Sequence, residues 1–403
     1  MELCDIAPGF TVEFPPDHRC KGKLKHFVLF ETGTTVRYPT PHCSKNAEEA
    51  VRNRVTNKQL KPGKPDVPQI SLLGIVRLNK MMQLVLEKLD PTENKTFEDL
   101  IKGFPRKKRR MYIRYLQRMN FLDALNYSIG AFVKYEKLTL DPSKTRVTTM
   151  GEKTITPRMV LPQDVQVNIL FSLIFQSIQD NIFKFKDQFP FSENPFAKGM
   201  RPKEIATVLK NKIFDLENRS GEKVFITQID GSRWDRHIQG DLRDCEFNFY
   251  LDYVKRFGMD YPWFGEHLNN SRFMNIYSRS KEFEFKVKGP SQRLTGAMNT
   301  STGNHLLMYL MVVSFLWSIT DYFDVLDNGD DCLLLYTESS KDLIAQNLTN
   351  YFLEFGITAD IGATSDDASE VTFCQTKLFG DTMMRDPDRV LSRIGVVPPA
   401  YSN

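Results

Sequence analysis

Asp330 and Asp331 stand side by side in Leu326-Asp327-Asn328-Gly329-Asp330-Asp331-Cys332, between the apolar runs Tyr322–Leu326 and Cys332–Tyr336. Asn-Gly and Gly-Asp favour a tight turn, so the stretch predicts a β-hairpin with two carboxylates at its tip. Adjacent carboxylates repel by roughly a few kcal/mol unless a cation sits beside them, which suggests a metal site; the same residues also suit a solvated turn. Asp230 ends a predicted strand, Lys223–Asp230, and Asp235 follows it at the start of a predicted helix over Ile238–Phe257. A carboxylate at a strand's carboxyl end faces a ligand across a sheet edge, whereas Asp235 alone fits a helix cap equally well. Thr300 and Asn304, four apart, share one helical face where the small polar loop Gly289–Asn304 opens a predicted apolar helix, His305–Ile319. Hydroxyl and amide groups there can meet a nucleotide, or simply cap a core helix.

Other elements must carry these residues. Strands are predicted at His26–Phe30 and Lys281–Val287, helices at Ala47–Gln59, Leu72–Leu89, Val165–Phe185 and Lys341–Phe355, and a late strand pair from Val371–Gln375. Arg106, Lys107, Lys108, Arg109, Arg110, Arg114 and Arg118 alternate with Met111, Tyr112, Ile113, Tyr115 and Leu116. On a helix these cations spread over much of the circumference, which suits the wall of a nucleic-acid channel, a solvated helix or a nuclear-import tag. Ala131–Lys137, Lys144, Arg146 and Ile155–Arg158 are short extended pieces with repeated cations, fit for a triphosphate or for a charged surface hairpin.

The 403 residues suffice for two or three domains with a substantial core, and 41% hydrophobic content excludes a disordered chain. A net charge of +4 is only mildly basic, so a nucleic-acid partner needs its positive charge gathered in a groove. Six scattered cysteines (Cys4, Cys20, Cys43, Cys245, Cys332, Cys374) without a Cys-x-x-Cys pair or a secretory leader point to a reducing compartment. His18, Cys20, His26, His42 and Cys43 are close in sequence, but their spacing fits no familiar zinc finger. The longest apolar stretch, Leu306–Trp317, falls short of the ~20 residues that span a bilayer, so no intrinsic membrane segment is expected.

Taken in order, Phe132-Val133-Lys134, Pro157-Arg158, Asp230-x-Ser232-Arg233-x-Asp235-x-His237, Met298-Asn299-Thr300-x-x-Gly303-Asn304, Asn328-Gly329-Asp330-Asp331-Cys332 and Phe373-Cys374-Gln375 resemble viral RNA-dependent RNA polymerases. The resemblance is greatest to the tombusvirus-like (carmovirus-like) group of positive-strand RNA viruses, and runs from about Arg106 to Gln375. It implies an α+β right-hand polymerase, with α-rich fingers and a palm built on a small antiparallel sheet. Fingers would occupy 1–222, palm 223–258, a fingers insertion 259–288, palm again 289–378, and the start of a short or truncated thumb 379–403.

The resemblance also implies roles. Nucleotidyl transfer uses two divalent ions, Mg²⁺ or else Mn²⁺, with Asp230, Asp330 and Asp331 as catalytic ligands and the Gly231 carbonyl as a lesser one. Asp235 and Asn304, assisted by Thr300, would hold the 2′-hydroxyl of the incoming ribose, with Gly296 in the nucleotide-binding loop. Lys134 and Arg158, with Lys137 and Arg146 as lesser candidates, would hold the triphosphate. Arg106, Lys107, Arg109 and Arg110 would contact RNA. Expected partners are template and nascent RNA, ribonucleoside triphosphates and other viral replication proteins, which would bring the chain to membrane-associated replication complexes in the host cytoplasm.

The chain departs from the pattern at Thr295, where Ser is more usual, at Ala297, where close relatives often carry Asp, and at Trp234, which replaces Phe. Phe355–Val371 holds no Lys or Arg to serve as general acid for pyrophosphate, leaving Lys377, another cation or water. Two rival readings are a reverse transcriptase, which would prefer a bulky ribose-gating residue, and an inactive polymerase-fold RNA-binding scaffold, which the complete set of carboxylates opposes.

Overall fold

The computed structural model describes residues 7, 9–13, 27–28, 37–39, 44–56, 67–90, 95–118, 125–134, 137–139, 145–147, 153–155, 157–184, 194–231, 233–259, 261–278, 284–387, 390 and 396–397. The zinc candidates His18, Cys20, His26, His42 and Cys43 lie outside these residues, as do Lys144 and Ser232.

A four-stranded sheet runs in the order Phe323–Asp327, Asp331–Thr337, Val224–Gly231, Ala359–Ser365, every pairing antiparallel. The hairpin forms where the sequence predicts it, and Gly329 at φ +89° supplies the left-handed residue the turn needs. The first three of these strands are apolar on both faces because both are covered. Phe225, Ile229, Leu334 and Tyr336 join the large core under the helix Thr300–Trp317. Val224, Ile226, Leu333 and Leu335 pack instead with Ala206, Leu209 and Leu216 of the helix Pro202–Ser220. That second contact includes a fully buried ion pair, Lys212 to Asp324 at 2.7 Å. The outer hairpin edge is closed by the segment 194–200, where Ala197 N–H donates to the Asp327 carbonyl (2.8 Å) and Asp327 N–H to Pro195 (2.7 Å).

A second sheet has five strands, ordered Thr11–Glu13, Lys286–Pro290, Phe273–Ser278, Ser128–Val133, Met159–Val160. Phe273–Ser278 pairs in parallel with Ser128–Val133, and the other pairings are antiparallel. This sheet unites parts of the expected fingers and fingers insertion, and adds β-structure to a region expected to be α-rich. The strand expected at Lys281–Val287 is found here as Lys286–Pro290, and its burial alternates along the chain.

The helices Leu72–Lys88, Arg106–Leu116, Val165–Lys184, Gly240–Arg256 and Lys341–Glu354 lie close to their expected positions. Four details differ. The apolar helix begins at Thr300, so Thr300–Asn304 is helical and not loop: burial overrides the weak helix propensity of Thr, Ser and Gly. A short helix, Trp234–His237, precedes a break at Ile238–Gln239, which places Asp235 on its own turn. The strand Ala359–Ser365 is unexpected, since it is largely exposed, lacks alternation and holds to Val224–Gly231 through its backbone across a bulge. Phe373–Gln375 is a turn, with Cys374 and Gln375 at φ +50° and +64°, and the late strand pair is Thr376–Phe379 with Thr382–Arg385. Among the described residues no helix is long and apolar enough to cross a membrane.

Candidate active site

Asp230 pairs directly with Asp331 across the sheet. Gly231 N–H donates to the Asp330 carbonyl at 2.8 Å, which makes Asp230/Asp331 a non-hydrogen-bonded pair, the kind whose side chains lie closest. Asp330 sits exposed in the hairpin turn immediately before Asp331. Burial, then the Asp230 and Asp330 charges, push the Asp331 carboxyl up to about 7. On the other side of Asp230 its register partner is Asp360, a carboxylate without a signal in the sequence, because its strand has no alternating pattern. Asp331, Asp230 and Asp360 therefore form one row on one sheet face.

Asp327 holds the turn from beneath. Its fully buried carboxyl accepts the Gly329 N–H at 2.9 Å, and burial, reinforced by Asp330 and Asp331, raises its pKa well above the carboxylate range. His305, also buried, lies under Gly329, with its Nδ1 2.7 Å from the Ser301 carbonyl. Burial keeps it neutral, with a pKa of about 4.

Among the described residues no group of three or more His, Cys, Asp or Glu is spaced to hold a metal ion. The donor chemistry nevertheless fits one: carboxylate oxygens crowd at a strand end, and Asp331 is held back from ionising by burial and its neighbours' charge. An all-oxygen set suits Mg²⁺ or Mn²⁺. The Gly231 N–H is already bound, and the absence of a side chain there is required by Trp234, whose ring would stand 2.4 Å from a Cβ.

The second part of the site is Asp235 with Asn304, whose side chain lies close enough to lower the Asp235 pKa. Burial raises the Asp235 pKa; Arg293 opposes the rise and Asp330 adds to it. The Asn304 Oδ1 is buried and has no hydrogen-bond partner. The Thr300 hydroxyl bonds the Leu294 and Ala297 carbonyls (2.5 and 2.8 Å), so its proton is used within its own loop. Gly296 lies against the Leu161–Pro162 backbone, where a Cβ would meet Pro162 Cα at 2.7 Å. Thr295 accepts the Leu161 N–H at 2.8 Å, a bond that Ser or Thr can make equally. His237 accepts the Thr358 N–H (3.2 Å) and is held neutral by burial, with a pKa of about 4.

Lys134 and Arg158 are brought together: Lys134 N–H donates to the Arg158 carbonyl at 2.7 Å, extending the pairing of Val133 with Met159. Lys137 and Arg146 lie in the strands Lys137–Thr139 and Thr145–Val147, and their side chains are outside the described residues. The basic helix Arg106–Leu116 packs through Tyr112, leaving Arg106, Lys107, Arg109 and Arg110 exposed. Arg109 differs from its neighbours in donating to the Ile101 and Lys102 carbonyls (3.0 and 2.5 Å), where it caps the helix Phe97–Lys102. Lys377 is exposed on the late hairpin.

An antiparallel sheet thus brings together an Asp pair across its central strands, a Gly-Asp-Asp turn and a neighbouring Asp–Asn pair. The model of the family described as viral RNA dependent RNA polymerase matches residues 18–397, and the chain belongs to that family. Three relatives, each named RNA-directed RNA polymerase, illustrate the similarity. That of Oat chlorotic stunt virus (isolate United Kingdom) is 26% identical over 363 residues, 87% of this chain and 46% of the relative. Those of Cymbidium ringspot virus and Tomato bushy stunt virus (strain Cherry) are each 25% identical, over 342 and 340 residues, 83% of this chain and 39% of the relative. The chain thus spans less than half the length of these relatives.

Proposed function

We propose that the chain forms the catalytic part of an RNA-directed RNA polymerase that copies a positive-strand viral genome. The observation that carries this reading is the Asp230/Asp331 pair, locked beside the Asp330 turn and next to Asp235–Asn304. Asp230, Asp330 and Asp331, with the Gly231 carbonyl, would hold two divalent ions. When bound, such ions activate a 3′-hydroxyl and neutralise a triphosphate. Asp235 and Asn304 would take the ribose 2′-hydroxyl between a carboxylate and the open Asn304 Oδ1, leaving buried polar groups unpaired when a deoxyribose enters. That preference favours RNA synthesis over reverse transcription. Thr300 and Gly296 shape the loop that leads into the helical turn carrying Asn304; Lys134 and Arg158, with Lys137, would bind the triphosphate; Arg106, Lys107, Arg109 and Arg110 would bind RNA.

In this reading the four-stranded sheet belongs to the palm (223–258 and 289–378), the five-stranded sheet joins 1–222 and 259–288 as fingers, and 379–403 begins a thumb. Other viral replication proteins would bring the chain to membrane-associated complexes in the host cytoplasm. The test is extension of a primed RNA template with labelled ribonucleotides and Mg²⁺, run beside Asp330→Asn. Wild-type extension and a loss of about a thousandfold or more in the variant, with RNA affinity retained, are expected. Incorporation of deoxynucleotides alone, or an active Asp330→Asn, would refute the reading.

A further inference from the structure

Behind the Asp235–Asn304 pair lies an ion pair closed off from solvent. Glu246 and Arg293 are 0% and 1% exposed; Arg293 Nη1 donates to Glu246 Oε1 at 2.7 Å, and Nη2 stands 2.7 Å from Oε2. Glu246 also accepts the Asn299 amide (3.2 Å) and the Tyr250 hydroxyl. The backbone of Arg293 reaches the Asp235 segment, its N–H lying 3.2 Å from the Asp235 carbonyl and 3.0 Å from that of Ile238. On the opposite side the pair presses against Gly303, where a Cβ would fall 2.1 Å from Glu246 Oε1 and 2.5 Å from Arg293 Nη2.

Gly303 immediately precedes Asn304. One buried unit therefore touches the backbone of Asp235 and the helical turn that carries Asn304, two segments nearly seventy residues apart in sequence. Arg293 also places its charge close enough to act on the Asp235 carboxylate. Stability is a poor account of such a pair, since well-packed apolar residues of similar volume are often as stabilising or more so. The contact does supply fixed geometry: one aligned hydrogen bond, Nη1 to Oε1, with Nη2 held beside Oε2 in a site closed to water.

We propose that Glu246 and Arg293 are positioning residues for sugar selection: by fixing the spacing of Asp235 and Asn304 they set the preference for ribonucleoside over deoxyribonucleoside triphosphates. The assignment rests on the polymerase reading above. Its role is geometric, because neither side chain reaches substrate; a small error in the spacing leaves the 2′-hydroxyl with one partner instead of two.

The test is single-nucleotide addition to a primed RNA template in Mg²⁺, with kcat and KM for UTP and dUTP, on Glu246→Gln, Arg293→Lys and Gly303→Ala. Asp235→Ala serves as reference, and thermal melting is recorded for each protein. Glu246→Gln and Gly303→Ala are expected to raise KM for UTP and lower the UTP/dUTP ratio of kcat/KM about tenfold or more, towards that of Asp235→Ala, with dUTP parameters near wild type. Arg293→Lys keeps the charge without the planar guanidinium and should fall between. Cooperatively melting variants with an unchanged ratio, or equal losses for both sugars, would overturn the proposal. So would failure of all three to fold, which would make the pair a structural element. A wild-type chain that adds neither nucleotide would refute the polymerase reading itself.

Discussion

Asp327 and Asp331 are four residues apart yet in different situations. Asp331 opens onto a crowded, partly accessible row of acids, whereas Asp327 is sealed under the turn with its neighbours' charges above it. An ionised carboxylate at 327 has one backbone N–H to offset its burial, so burial favours the protonated form, and the group acts as a strut for Gly329. Asp327→Asn preserves that neutral acceptor and is expected to stay within ~1 kcal/mol of wild-type stability. Asp327→Ala leaves the Gly329 N–H unpaired and should cost about 1–3 kcal/mol in denaturant unfolding. A large destabilisation in Asp327→Asn would show that the charge itself is needed. At this scale the local spacing made Asp230, Asp235, Asp330 and Asp331 readable as chemistry, whereas nothing in the sequence marked Asp327, because burial is not a local property.

Where elements meet, two histidines are kept neutral. His237 accepts the Thr358 N–H from the start of the unexpected strand, and His305 packs between Phe183 and Phe196 under the hairpin turn. Each has a pKa of about 4 in the fold, against the ordinary histidine value of 6.5. Between those pH values the unfolded chain binds protons that the native chain does not, so the histidines' contribution is complete above pH 6.5 and declines as pH falls towards 4. Thermal melting between about pH 4 and pH 7 should therefore show a stability slope that is shallower in His305→Phe, a substitution suited to the surrounding rings. An unchanged slope would mean that His305 is protonated in the fold. The hairpin and the long helices were legible because their apolar periodicity is internal to each segment. The strand Ala359–Ser365 was not, since its partner is Val224–Gly231, more than a hundred residues earlier, and its own side chains are mostly solvated.

For the whole molecule, a net charge of +4 leaves RNA affinity dependent on where the cations lie. The helix Arg106–Leu116 concentrates them, and its members are not equivalent. Replacing Arg106 and Arg110 by Ala should reduce the slope of log affinity against log salt by about 0.7 for each phosphate of single-stranded RNA that is no longer neutralised. Arg109→Ala should lower stability as well as RNA affinity, because that guanidinium also closes the end of the helix Phe97–Lys102. Equal salt slopes in the double variant and wild type would remove this helix from the RNA path. By itself the sequence determined the local pieces: the Gly-Asp-Asp hairpin, the strand ending at Asp230, the Thr300–Asn304 face and the basic helix, each encoded within a few turns or strand residues. Only the tertiary structure decided that Asp230 faces both Asp331 and Asp360, that Lys134 adjoins Arg158, and that Glu246 and Arg293 brace Asp235 against Gly303. Those relations arise from register and close packing between distant segments, and no periodicity along the chain carries them.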